Sequence, residues 1–355
     1  MELSVKASSR INKPFVKIGF LHILCIAILL PLVACQNAGF SLHSQSRDNL
    51  LGTVITISSY DKIPADVLEE CFASVKDIED KMSVNIADSE VARLNTLGQA
   101  QVSDELYQLI QKAVTWAERS DGAFDITIGS VMELWKNGSH FSRLPSKEEI
   151  ESALPFVGYQ KIKLAEGNQI SLENGTRIDL GGIAKGFACD RSLEILKAHD
   201  IRNALLNFGG NIYALGTKAD GSPWRIGIQN PISGESGHVC IVDVSNKTVV
   251  TSGGYERFFE ENGELYHHIF DPKTGSPVKN GLLSASIVTD CSADADALST
   301  LCFVLGLEKA IALLEGTPNC EGIFITEQRI IYATSGLQGK LVLTNSTFTI
   351  SEDAA

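Results

Sequence analysis

Residues 293–300 combine a carboxylate and a hydroxyl at the start of an apolar run. Asp296 and Thr300 are four positions apart, so on a helix both oxygens lie on the same face. Oxygen ligands of this kind bind hard cations such as Mg²⁺, with water and substrate oxygens completing the shell. Acidic residues are also common at helix N-termini, where they interact favourably with the helix dipole. The spacing alone therefore leaves a metal site and helix capping both open.

A second segment, residues 178–186, places two glycines between a predicted strand and a predicted helix. Asp179 lies at the end of the strand, and Lys185 lies near the start of the helix. Exposed amides and a cation at a helix start suit an anionic ligand such as a phosphate. The segment matches neither the Walker A pattern nor GxGxxG. By itself it is equally typical of a tight strand-to-helix turn.

Three further segments carry groups that could act on a substrate. His268 precedes the turn sequence 271–275 and could serve as a general base, although that sequence alone predicts only a β-turn. The segment 251–257 supplies two glycines, a Glu and an Arg shortly before this histidine. The segment 121–129 combines Phe124 with two carboxylates and is also compatible with a solvated loop around a buried Phe.

The elements that must position these groups alternate between segments with helical periodicity and segments with strand periodicity. Apolar residues at helical spacing, or following helix-start signals, predict helices at 65–82, 104–118 with Ser103 as N-cap, 147–154, 185–199, 295–305 and 307–314. Strand signals occur at 53–57, 161–164, 169–172, 177–180, 204–207, 224–228, 238–244, 247–251, 283–288, 322–326 and 330–334. This order predicts an α+β (mixed α/β) domain with largely antiparallel sheets flanked by helices, in one unit or two lobes, and not an all-parallel sheet.

Composition and charge restrict the partners. The 355 residues are 44% hydrophobic and 21% charged, which is typical of a folded protein. The net charge is −13; residues 1–34 carry four basic side chains against one acidic, which leaves −16 for the remainder. A chain this acidic is a poor candidate for nucleic-acid binding, since that relies on Lys and Arg. We therefore expect no nucleic-acid partner.

The first 34 residues read as a secretory signal. Four basic residues precede the apolar run 18–30, which is too short to span a bilayer comfortably. The sequence 32–35, Leu-Val-Ala-Cys, resembles the lipobox of bacterial lipoproteins. We therefore expect cleavage before Cys35, lipidation of its thiol and anchoring on the periplasmic side of a bacterial membrane, with an uncleaved anchor as the alternative. Residues 35–50 are predicted as the lipidated Cys and a polar tether, 51–345 as the catalytic domain and 346–355 as a tail.

The six cysteines that follow Cys35 form no CxxC pair. Their spacings do not fit a zinc site, and an exported compartment would permit disulfides. Most of them are predicted to be small buried hydrophobic residues.

Taken in order, these segments resemble the ApbE family of FAD:protein FMN transferases. The similarity extends over about residues 52–334 and depends on 82–85, 88–90, 93–95, 122–127 with 134–135, 179–186 with 190, 207–211, 251–253, 268–275, and 295–296 with 300. The resemblance implies a T-fold-like domain with FAD in a cleft and Mg²⁺ at its pyrophosphate. It implies metal ligands at the Gly182 carbonyl, Asp296 and Thr300. It also implies that His268 is the catalytic residue. It implies flavin and adenosine contacts at Leu51, Asn85, Ala123, Phe124, Asp125, Asp179, Lys185 and Ile269.

The function implied by the resemblance is Mg²⁺-dependent transfer of the FMN moiety of FAD to a threonine hydroxyl. The acceptors would be exported redox proteins that carry a threonine flavinylation motif, and AMP would be released. One position departs from the family pattern: Asn85 stands where many members have an aromatic residue. Because Asn is smaller and polar, hydrolysis of FAD to FMN and AMP on the same site is the first alternative. A flavin-binding lipoprotein without catalysis is the second.

Overall fold

A nine-stranded sheet forms the centre of the computed structural model, which describes residues 41–137, 140–173, 175–232 and 234–352. The strands are β1 (His43–Leu50), β2 (Thr53–Ser59), β3 (Gln99–Gln101), β4 (Lys136–Asn137), β5 (His140–Phe141), β6 (Ile162–Ala165), β7 (Gln169–Leu172), β8 (Ala204–Phe208), β9 (Asn211–Leu215), β10 (Trp224–Gln229), β11 (His238–Val244), β12 (Lys247–Gly253), β13 (Phe258–Glu261), β14 (Glu264–His267), β15 (Phe270–Asp271), β16 (Ser276–Pro277), β17 (Leu282–Thr289), β18 (Glu321–Thr326), β19 (Ile330–Ala333), β20 (Leu341–Leu343) and β21 (Thr349–Ile350). The central order is β1-β2-β8-β9-β12-β17-β18-β19-β21, antiparallel except for the pair β19 and β21.

The helices are α1 (Ala65–Met82), α2 (Glu90–Leu97), α3 (Asp104–Arg119), α4 (Gly129–Met132), α5 (Lys147–Ala153), α6 (Ala184–Ala198), α7 (Ser292–Leu305) and α8 (Leu307–Glu315). The predicted α+β class is confirmed, because the helices alternate with mainly antiparallel strands. Ser103 is the N-cap of α3, as predicted, and its hydroxyl accepts the Leu106 amide hydrogen. Among the described residues, none of the helices is both long and apolar enough to cross a bilayer.

Alternation along the central strands divides the apolar side chains between two cores. Ile287 packs with the helical layer, whereas the next residue, Val288, packs with the three-stranded sheet β10-β11-β20. Successive side chains of a strand point to opposite faces, so one sheet supports a helical layer and a second sheet. Five of the six described cysteines are buried, Cys291 is half-buried, and all six are free thiols, which agrees with their predicted packing role.

The predicted tether was wrong from residue 43 onwards, because His43–Leu50 form the edge strand β1. Ser44 and Ser58 share a hydrogen bond of 2.7 Å across the β1–β2 pair. Most of the strand is exposed, so it needs no apolar alternation, and its polar composition hid it. The predicted signal peptide, Cys35 and the rest of the tether up to residue 40 lie outside the described residues.

The predicted tail was wrong as well, because residues 349–350 pair with β19. Phe348 is 2% exposed and packs in the core next to the three-stranded sheet. The domain therefore extends beyond residue 345.

Two predicted elements near the site also differ from the structure. Residues 177–180 are not a strand, because the Asn95 side-chain amide donates to the Ile178 carbonyl at 2.8 Å and accepts its N–H at 2.8 Å. Helix α7 begins at Ser292, earlier than predicted, because Asp190 accepts the amide hydrogens of Ser292 and Ala293. Both corrections come from polar side chains that are distant in sequence.

Gly186 allows the close contact between α6 and α7 that joins the two halves of the site. A Cβ at this position would overlap the Ser292 carbonyl group. We therefore expect Gly186→Ala to lower the free energy of unfolding by about 3 kcal/mol, the upper range for overpacking. Chemical denaturation measures this, with Gly316→Ala as the control, because a Cβ there meets its nearest atoms at an ordinary 3.6 Å. Equal stability of the two variants would contradict the close packing.

Candidate functional site

A cleft of about 690 Å³ opens between the β1–β2 turn, the end of α1, the loop before α4, the start of α6, and α7. It is lined by every predicted site residue that falls within the described chain: Leu51, Asn85, Ala123, Phe124, Asp125, Asp179, Gly182, Lys185, His268, Ile269, Asp296 and Thr300. Cys35 lies outside the described residues. The structure therefore brings the predicted set together, while the role of each residue stays a prediction.

The turn between β1 and β2 forms one wall of the cleft. Leu51 and Gly52 have φ values of 50° and 68°, which are typical of two-residue hairpin turns but uncommon for Leu. The Glu79 carboxylate of α1 accepts the Leu51 amide hydrogen at 2.9 Å and fixes this backbone. Sequence reasoning missed Glu79, because nothing in the helical pattern distinguishes it from an exposed surface residue.

The start of α6 forms the floor of the cleft. Asp179 accepts the Gly181 amide hydrogen at 2.7 Å, and the Asp179 amide donates to Ile126 at 2.8 Å. The turn thus places Gly182 so that a Cβ there would lie 3.5 Å from the Thr300 hydroxyl and 3.2 Å from the Phe124 ring. Gly182, Thr300 and Phe124, which are far apart in sequence, are therefore neighbours.

Asp296 is a buried carboxylate at this floor, with 3% of its surface exposed. Its Oδ2 accepts the Gly186 amide hydrogen at 3.0 Å, and its Oδ1 lies 3.1 Å from the Lys185 ammonium. Ser252, on β12, hydrogen-bonds the Thr300 hydroxyl at 3.3 Å. Sequence reasoning did not assign Ser252 a role, although the segment 251–257 had been singled out.

This donor set fits a magnesium ion that also binds substrate phosphates. Such an ion typically takes one or two carboxylates and keeps several waters or phosphate oxygens. Asp296 supplies one carboxylate, and Thr300 and Gly182 add oxygens on the same cleft wall. No cluster of three or more His, Cys, Asp or Glu suited to a metal occurs in the part of the chain that the structure describes. The residues therefore suit a phosphate-assisted site better than a fully protein-built one.

Asp125 is held by its own loop. Its Oδ1 accepts hydrogens from the Thr127 amide at 2.9 Å and from the Thr127 hydroxyl at 2.6 Å, and its Oδ2 accepts the Tyr159 amide hydrogen at 2.7 Å. Burial raises the pKa of Asp125, and these hydrogen bonds oppose the rise. Its carboxylate shapes the loop that carries Ala123 and Phe124.

His268 also lines the cleft, half-buried, directly after β14. Its Nδ1 lies 3.2 Å from the Arg257 carbonyl oxygen, a geometry in which Nδ1 carries the hydrogen and Nε2 keeps a free lone pair. Loss of hydration and the nearby Arg257 charge lower the pKa of His268 to about 4. The imidazole is therefore neutral at neutral pH and able to accept a proton.

Glu256 and Arg257 also line the cleft, and sequence reasoning gave neither a role. Burial raises the pKa of Glu256, while Lys185 and Arg257 lower it. Their place in the segment 251–257, which combines two glycines with a Glu and an Arg shortly before His268, was the signal that could have identified them.

The profile of the ApbE family matches residues 51–324. The chain belongs to the ApbE family. Relatives named FAD:protein FMN transferase include one from Treponema pallidum, 35% identical over 347 residues, which covers 92% of this chain and 96% of the relative. Another, from Klebsiella pneumoniae, is 34% identical over 291 residues and covers 81% and 90% of the two chains.

Solved ApbE structures share the fold. The ApbE protein of Thermotoga maritima superposes with a TM-score of 0.77 at 33% identity, covering 84% of this chain and 99% of that one. The flavinyl transferase ApbE of Pseudomonas stutzeri, in its apo form, gives 0.75 at 28% identity, with 84% and 96% covered. The α+β architecture is therefore that of the ApbE fold.

Proposed function

We propose that this protein transfers the FMN moiety of FAD to a protein acceptor. The observation that carries the proposal is one cleft that holds a buried carboxylate, Asp296, with Lys185, and is also lined by a neutral histidine, His268. A carboxylate–cation floor suits a pyrophosphate, and a neutral imidazole suits removal of a hydroxyl proton. Family membership and relatives named for this activity support the same conclusion.

Asp296, Thr300 and the Gly182 carbonyl are the residues that would hold Mg²⁺. When bound, the ion supplies positive charge to the pyrophosphate and to the departing AMP. Lys185 adds a cation beside Asp296, and the Gly186 amide of α6 donates to the same carboxylate. In this way an acidic protein can bind a doubly charged pyrophosphate.

The reaction is an in-line displacement at the phosphorus of the FMN half. The hydroxyl oxygen of an acceptor threonine forms a new bond to this phosphorus, and the bond to the oxygen of the AMP phosphate breaks. The hydroxyl proton passes to Nε2 of His268, and AMP leaves with the electron pair of the broken bond. The products are a phosphoester of FMN on the acceptor, AMP, and a protonated His268 that returns its proton to water.

The proposed acceptor class rests on the family resemblance, and the proposed location rests on the lipobox-like sequence 32–35. A lipidated Cys35 would anchor the enzyme on the periplasmic side of a bacterial membrane, where exported redox proteins with a threonine flavinylation motif are the available acceptors.

Incubation of the full chain with FAD, Mg²⁺ and an acceptor protein carrying the threonine motif tests the function. We expect a fluorescent, covalently labelled acceptor and one AMP per label. The same acceptor with valine in place of the threonine should remain unlabelled. FAD binding without release of either product would instead support a flavin-binding lipoprotein without catalysis.

Hydrolysis of FAD is the second candidate, and the exposure of Asn85 favours it. Asn85 lines the cleft but is exposed, and its side chain makes no hydrogen bond within the described residues. Water can therefore approach the cleft beside it. Steady release of AMP and FMN in the absence of acceptor would establish this activity.

Asn85→Tyr should lower acceptor-free AMP release by about tenfold while retaining transfer to an acceptor, because an aromatic ring can stack on the nucleotide and exclude water. Product analysis by mass spectrometry measures both activities. Asn85→Ala is the control, because it removes the amide without covering the cleft. If Tyr and Ala give the same ratio of hydrolysis to transfer, position 85 does not control water access.

A further inference from the structure

The cations that line the cleft differ in whether they have an ion-pair partner. Lys136, Lys185 and Arg257 line it. The Lys136 ammonium lies 2.9 Å from a Glu133 oxygen, and the Lys185 ammonium lies 3.1 Å from Asp296. Within the described chain, by contrast, no carboxylate lies at ion-pair distance from the Arg257 guanidinium, and that group makes no hydrogen bond.

The main chain and the side chain of Arg257 lie at different walls of the cleft. Its carbonyl oxygen accepts the His268 amide hydrogen at 3.1 Å and lies 3.2 Å from Nδ1 of the same residue. Its side chain extends to the β1–β2 turn, where Nη2 would lie 3.5 Å from a Cβ on Gly52. The guanidinium therefore lies between the wall that carries the base and the wall that carries Leu51.

A guanidinium that has no ion-pair or hydrogen-bond partner among the described residues is suited to an anionic ligand. Its planar fork of N–H donors matches the oxygens of a phosphate, and such charge-assisted hydrogen bonds are stronger than neutral ones. The floor of the cleft already neutralises one of its own cations, because Lys185 faces Asp296. The Arg257 guanidinium interacts electrostatically with the neighbouring Glu256 carboxylate but makes no ion pair or hydrogen bond among the described residues, so its N–H donors remain available to the ligand.

We propose that the Arg257 guanidinium binds the pyrophosphate of FAD and stabilises the charge on the phosphoryl oxygens during transfer. This inference rests on the proposed function and adds a substrate-binding residue next to His268. The guanidinium donates hydrogen bonds and exchanges no proton, so the displacement described above remains balanced as written. Arg257 thereby has two roles: its main chain orients His268, and its side chain holds the phosphate.

The main-chain role survives any substitution of the side chain, which makes the proposal testable. Arg257→Ala removes the guanidinium, and Arg257→Lys keeps a single charge without the planar fork. Arg225→Ala is the matched control, because that arginine is exposed on β10 and pairs at 3.6 Å with Asp243, outside the cleft. Affinity is measured on the full chain in the presence of Mg²⁺ by the quenching of flavin fluorescence, with FAD and with riboflavin, which has the same ring but no phosphate.

We expect Arg257→Ala to weaken FAD binding roughly 10- to 100-fold, as for a lost hydrogen bond to a charged group, and to leave riboflavin binding unchanged. Arg257→Lys should be intermediate, and Arg225→Ala should match the wild type. Inorganic pyrophosphate, used as a competitor of FAD, should lose potency in Arg257→Ala by the same factor.

Unchanged FAD binding in Arg257→Ala would overturn the proposal, as would an equal loss of FAD and riboflavin binding. A variant that binds FAD normally but has a raised KM for the acceptor alone would also overturn it and place the guanidinium against the acceptor. Failure of the wild type itself to bind FAD would instead refute the proposed function. The two failures are therefore distinguishable.

Discussion

Replacing Asp296 by asparagine should lower Mg²⁺-dependent release of AMP from FAD by about 10³-fold. Asparagine keeps the shape of the side chain. It also keeps an oxygen that can accept the Gly186 amide hydrogen, as Asp296 does in the wild type at 3.0 Å. It removes the negative charge that a divalent cation requires and leaves the Lys185 ammonium without its partner at 3.1 Å. The loss should therefore fall on metal binding more than on folding.

Thermal unfolding separates these effects. A ligand that binds the folded state raises the melting temperature, so Mg²⁺ with FAD should stabilise the wild type and fail to stabilise Asp296→Asn. Asp290→Asn is the matched control, because Asp290 lies just before α7, is largely exposed and pairs with Lys247 at the surface. AMP release that is unchanged in Asp296→Asn, or equal Mg²⁺ stabilisation of both proteins, would contradict the metal assignment.

Helix α7 illustrates how much of this site the sequence could predict. The four-residue spacing of Asp296 and Thr300 requires only that the segment be helical, so their common face could be predicted although the first turn of α7 was missed. Lys185, the partner of Asp296, is 111 positions away in sequence. Only the packing of α6 on α7, which Gly186 permits, brings this pair together, and no local pattern contains that information.

The wrong boundaries have a related cause. β1 is an edge strand whose exposed polar residues carry no apolar alternation, so the usual strand signal is absent. Residues 177–180 have the expected alternation, but the Asn95 amide takes both backbone groups of Ile178. β1 is held by pairing with the neighbouring strand β2, and Ile178 is held by the distant Asn95. In both places hydrogen bonds decide the backbone, while propensity and hydrophobic pattern describe only the local preference.

Charge alone also gave an incomplete prediction. The acidic net charge argues against binding polyanions, but binding of one pyrophosphate depends on the few groups that face it. In the cleft, Asp296 is paired with Lys185, and Arg257 lies next to His268. The local field is thus determined by the arrangement of a few side chains, and the total charge does not report it.

His268→Ala should lower kcat/KM for FMN transfer by about 10²- to 10⁴-fold, the range expected for loss of a general base. The Arg257 carbonyl holds Nδ1 at 3.2 Å, which leaves Nε2 free to accept the hydroxyl proton of the acceptor. Added imidazole should restore part of the activity of the alanine variant. His199→Ala is the control, because His199 is a surface residue that pairs with Glu70 at 3.0 Å.

The pH profile tests the protonation state of this base. Only the neutral imidazole accepts a proton, so activity is present above the pKa and lost as the pH falls through it. Burial and Arg257 lower the pKa of His268 to about 4, so kcat/KM should remain near its plateau at about pH 5.5, where a histidine with an ordinary pKa would retain about one tenth. The acid limb reports the free enzyme and should disappear in His268→Ala. A limb near pH 6.5, or one that persists in the variant, would show that another group controls the reaction.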